Sequence, residues 1–105
     1  MYFITCFEKD GTENVGGFAD FGAMRTFGYM STFAEAEKAL NENWCDMFEC
    51  LYRYAVIEKI EPGKVKGLVS KKEDRKWFLY DRERDGFFQI EEPGAHEYTK
   101  NFAFC

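Results

Sequence analysis

One stretch of this chain carries a helical signature, and it limits what the rest must be. Thr32 stands three residues before Glu35, the spacing of a capping box. Beyond it, Phe33, Ala36, Leu40, Trp44, Met47 and Leu51 recur at steps of three and four, which is one face of a helix. Glu35 and Glu37 fall in the first turn, where the helix dipole favours negative charge. Lys38, Glu42 and Asp46 mark the opposite face. The spacing predicts a helix over 33–43, with 44–51 either continuing it or forming a separate turn. Such a stripe must be buried against a second apolar surface, and the remainder of the chain reads as strands.

Tyr2, Phe3, Ile4 and Phe7 make a β-forming run that ends at the turn signal Asp10-Gly11. Residues 12–24 hold Gly16, Gly17 and Gly22 and read as a loop or irregular hairpin. A second strand is expected from Arg25 to Met30. Tyr52 to Ile60 is β-rich and stops at Pro62-Gly63. Residues 64–75 are basic and read as loop. Lys76–Asp81 and Phe87–Glu91 flank a polar turn in which Gly86 is expected to take the left-handed position. The tail after Pro93-Gly94 is expected to return as a short edge strand near 101–104. The order β-β-α-β-β-β predicts an α+β domain: one amphipathic helix packed on a single, mainly antiparallel sheet. At 105 residues the chain is expected to be one domain, burying roughly 60% or more of its unfolded surface.

Twenty of the residues are aromatic, against one histidine. Phe3, Phe27, Phe33, Trp44, Trp77, Phe78 and Phe88 are expected in the core. A core of this size does not hold every ring, so some are expected in a groove or on the surface, where contiguous rings mark binding sites. The net charge of −5 is uneven. Residues 64–76 carry a net +4, which leaves −9 on the rest. That balance repels a phosphate backbone and argues against general nucleic-acid binding. Cys6, Cys45, Cys50 and Cys105 form no C-x-x-C pair and read as free, buried thiols of a cytoplasmic protein. No apolar run approaches the length of a membrane span.

Motifs for chemistry are weak. Asp81 to Glu92 places oxygen-bearing side chains at positions 1, 3, 5, 9 and 12 and a glycine at 6, as in a calcium loop. Two interleaved arginines and Pro93 argue for a hairpin turn instead. His96 has no ligand set around it in sequence, so no metal site is assigned. No cofactor is assigned either. Asp46 and Glu49 would share a helical face. The glycine-rich segment 14–22 precedes a strand, not a helix, which weakens a phosphate-cradle reading. Arg25 and the nearby rings of Phe18 and Phe21 keep a second reading alive: arginine on a phosphate, rings on a base.

The runs Met1–Cys6, Arg25–Tyr29, Asn43–Met47, Tyr54–Lys59, Trp77-Phe78, Gly86–Glu91 and Asn101–Ala103 together resemble a family of small uncharacterised proteins of anaerobic gut bacteria and their phages and mobile elements. The resemblance implies no activity and no site residues. It implies a context in which small accessory proteins bind stoichiometrically, including as inhibitors of host defences.

With no nucleophile–base–orienter set to name, binding is expected rather than catalysis. The first reading is a protein partner held through an acidic and aromatic surface that includes Glu42, Trp44, Asp46 and Glu49. The second is a small anionic, nucleotide-like ligand held by Arg25, Phe18 and Phe21. The strand-forming runs at 5–7 and 54–57 also offer edges for a homodimer.

Overall fold

The computed structural model describes residues 1–16, 18–44, 52–61 and 72–93. In chain order they form β1 (Tyr2–Phe7), β2 (Asn14–Val15), β3 (Phe18–Ala19), β4 (Met24–Met30), α1 (Phe33–Asn41), β5 (Tyr54–Lys59), a short 3-10 turn (Lys72–Asp74), β6 (Arg75–Asp81) and β7 (Gly86–Ile90). Strands β4-β1-β5-β6-β7 make one five-stranded sheet, and every neighbouring pair is antiparallel. Because β4 and β5 both run against β1, they are parallel to each other, and α1 lies in the connection between them. This is the expected α+β architecture with the expected order of major elements. The glycine-rich segment forms a small β2–β3 hairpin of its own.

Alternation along the strands sorts the side chains onto two faces. Ile4 and Cys6 of β1, Ala55 and Ile57 of β5, Phe78 of β6 and Phe87 of β7 pack against Ala36, Ala39 and Leu40 of α1. Cys6 is buried in this layer and is not part of a disulfide, as its sequence context predicts; the other three cysteines lie outside the described residues. The opposite face holds Phe7, Val56 and Trp77, with Phe21, Met24, Tyr54 and Ile90 against them. Phe7 and Trp77 stack with ring centroids 5.4 Å apart, and Phe21 lies 5.2 Å from Phe7. Truncating a fully buried ring such as Phe7 costs about 3–5 kcal/mol in typical cores.

The helix starts as the capping box requires. Thr32 Oγ1 accepts a hydrogen bond from the Glu35 amide at 3.2 Å. Its end differs from expectation. The helical span closes at Asn41, with Glu42 as cap, because Asn43 takes a left-handed φ of 56°. Trp44 therefore leaves the apolar stripe and is 44% exposed rather than buried.

Four further expectations are corrected. The runs at 5–7 and 54–57 lie in β1 and β5, which are interior strands paired on both sides, so neither offers a free edge to a second copy. Arg75 belongs to β6, not to a basic loop, and is buried. The left-handed position of the β6–β7 turn is Asp85 (φ 52°), not Gly86, which is buried and paired with Asp81. Aspartate tolerates that region because its short carboxylate finds a local partner, here the Tyr80 hydroxyl at 2.7 Å. Phe88 is 37% exposed rather than core. The tail strand near 101–104, the basic residues 64–71 and His96 lie outside the described residues.

Candidate functional site

Residues 81–92 make a strand–turn–strand rather than the helix-flanked loop of a calcium site. The carboxylates close the turn on itself. Asp81 Oδ1 accepts from the Glu83 and Arg84 amides, and its Oδ2 accepts from Arg84 Nε at 2.7 Å. These donors favour the charged form and hold the Asp81 carboxyl below its ordinary range, the Arg84 side chain most of all. Asp85 in turn raises the Tyr80 hydroxyl above its ordinary range by accepting a hydrogen bond from it, which favours the protonated phenol. Among the described residues no three of His, Cys, Asp and Glu stand together as metal ligands.

The residues singled out from sequence scatter over the molecule. Arg25 sits exposed on edge strand β4, its guanidinium carbon 4.8 Å from the Phe27 ring centroid. Phe18 lies in β3. Phe21 is half-buried, its ring over Phe7. Phe21 is also pressed on Gly11: a Cβ there would lie 2.4 Å from its ring. Glu42 and Trp44 are exposed at the helix end, with Glu42 3.8 Å from Lys38. Asp46 and Glu49 lie outside the described residues. The structure thus leaves both Glu42 and Trp44 exposed, and gives the Phe21 ring a packing role beside Phe7.

Two constellations escaped sequence reasoning. The first is buried. Arg75 Nε donates to Glu92 Oε1 at 2.7 Å, and Trp77 Nε1 donates to the same oxygen at 3.0 Å. Arg75 Nη2 adds a bond to Oε2 at 3.3 Å. Glu58, directly across from Arg75 in the β5–β6 register, has no exposed surface. This is a charged knot within a sheet face, with chemistry suited to fixing strand register.

The second is a groove of about 1210 Å³ at the end of the sheet where β5 begins and the β6–β7 turn closes. Arg53, Arg82 and Arg84 reach into it beside Tyr52, Tyr80 and Phe88. The Arg84 guanidinium lies over the Phe88 ring at 3.6 Å. Sequence signals were absent because the contributing residues are isolated exposed arginines and rings that only the β5–β6 and β6–β7 pairings bring together.

The chain matches no family model, no curated protein and no solved structure. No helix among the described residues is long and apolar enough to cross a membrane.

Proposed function

We propose that this chain is a non-catalytic binding protein that engages a protein partner stoichiometrically through an acidic and aromatic surface at the end of α1. The observation that carries the reading is Trp44. A helical stripe would have buried it, yet the left-handed turn at Asn43 leaves its ring 44% exposed, two residues beyond the exposed Glu42. An indole in the open is costly to solvate and valuable at an interface, where tryptophan is enriched among the residues that dominate affinity. The acid excess outside residues 64–76 complements a basic surface and speeds encounter with it. A nucleic-acid-binding cleft of a host defence enzyme has that chemistry. The resemblance to mobile-element accessory proteins, whose setting is the bacterial cytoplasm, leads to the same class of partner.

Affinity capture from the native host tests the reading. The wild-type chain is expected to retain a partner at equal stoichiometry. Trp44→Ala and Glu42→Lys, both at exposed positions, are expected to release it while leaving the fold intact. Undiminished capture by both variants would show that the contact is elsewhere, and capture of nothing would count against stoichiometric binding.

A further inference from the structure

We propose that the groove at the β6–β7 end of the sheet is a binding site for a small phosphate ester carrying a planar ring, of the mononucleotide class. This site is separate from the surface around Trp44, and the inference does not depend on that reading.

The argument begins with the cations. Lys9, Lys38, Arg75 and Arg84 are each matched by a carboxylate. Arg53 and Arg82, like Arg25, Lys59 and Lys76, enter no ion pair or hydrogen bond through their side chains among the described residues; what sets these two apart is that both are exposed in one groove. Arg53 is held rigidly at its backbone. Its amide donates to the Phe7 carbonyl at 2.9 Å, and its carbonyl accepts from the Tyr80 amide at 2.8 Å. The sheet thus fixes the base of that side chain, leaving its fork for an incoming group. Arginine's planar fork suits phosphate oxygens better than a lysine point charge does.

The carboxylates around the groove do not cancel this pair. Asp81 is engaged by Arg84 and by two turn amides. Glu8 accepts from the Ala23 amide at 3.3 Å. Glu83 alone projects an exposed carboxylate that enters no ion pair.

The ring site is built by the same turn. Asp81 holds Arg84, and the Arg84 guanidinium carbon lies over the Phe88 ring, 3.6 Å from its centroid. A guanidinium over a ring makes a shelf on which a planar heterocycle stacks. Tyr52 and Tyr80 add further aromatic surface beside it. The groove exceeds the roughly 300–1,000 Å³ typical of small-ligand sites. A long nucleic-acid strand fits poorly, because the acidic remainder of the chain repels an extended phosphate backbone.

Calorimetric titration of the full chain with AMP and GMP, with inorganic phosphate and adenosine as separate arms, tests the assignment. One site is expected for each nucleotide. Phosphate and adenosine are each expected to bind at least about tenfold more weakly than AMP. Arg53→Gln and Arg82→Gln should each weaken AMP about tenfold or more. Phe88→Ala should weaken AMP and leave phosphate unchanged. Glu83→Gln should tighten AMP by removing a like charge. All four positions are exposed, and circular dichroism confirms that each variant keeps the wild-type fold. The proposal is overturned if neither nucleotide binds at millimolar concentration, or if AMP binds equally well to both arginine variants. A ten-nucleotide single strand binding far more tightly than AMP would also overturn it, in favour of a strand-binding surface.

Discussion

Glu92→Ala removes the carboxylate that holds buried Arg75 and the Trp77 indole of β6. Glu92 accepts two bonds from Arg75 and one from the Trp77 indole, and the Arg75 side chain is only 6% exposed. Removing the carboxylate leaves a buried cation and an indole N–H without these acceptors. Losing one partner of a buried pair costs roughly 3–5 kcal/mol; the 13% exposure of Glu92, and Glu58 still standing across from Arg75, place this case at the lower end, at about 3 kcal/mol. For a domain of this size that corresponds to a fall in melting temperature of about 12 °C or more. Glu92→Gln keeps a carbonyl acceptor and loses the charge, so about 1–2 kcal/mol is expected. Urea denaturation followed by circular dichroism measures both, with the slope checking that the denatured state is unchanged. A loss below about 0.5 kcal/mol for Glu92→Ala would refute the reasoning, because surface pairs cost that little.

Two further predictions follow from local geometry. Gly11→Ala places a Cβ 2.4 Å from the Phe21 ring at a φ of 78°, so a loss exceeding about 1 kcal/mol is expected in the same urea assay. The carboxyls of Asp10, Asp20 and Asp81 are held below their ordinary value of 3.8, chiefly by the Thr12 hydroxyl, the Lys9 ammonium and the Arg84 guanidinium respectively. A depressed native value means stability that is present above pH 3.8 and lost as the pH falls through the native values. The thermal midpoint is therefore expected to drop in acid below that point, and less steeply in Asp81→Asn.

Local signals carried the secondary structure well where the cause was local. Thr32 and Glu35 marked the helix start because capping is a three-residue event. The β5 and β6 runs were legible as strands because β-branched and aromatic residues are concentrated in them, and that preference needs no distant partner. The failures share a physical reason. Trp44 keeps the helical phase of Leu40, but a backbone choice at Asn43 ends the helix first. Arg75 sits beside a basic run, yet its burial depends on Glu92, seventeen residues away. Asp85 rather than Gly86 turns left-handed because the Tyr80 hydroxyl is there to meet it. Arg53 and Arg82 become neighbours of one groove only through strand pairing, which neither residue announces.

The two tryptophans permit a direct test of the proposed partner-binding surface. Trp77 is 1% exposed and stacked on Phe7, whereas Trp44 is 44% exposed. Acrylamide should therefore quench Trp44 and spare Trp77 in the free chain. Titration with the captured partner is expected to protect Trp44 from the quencher, reaching a plateau at one equivalent. Trp44 fluorescence that stays fully quenchable with the partner saturating would contradict the account, because the indole would then lie outside the interface.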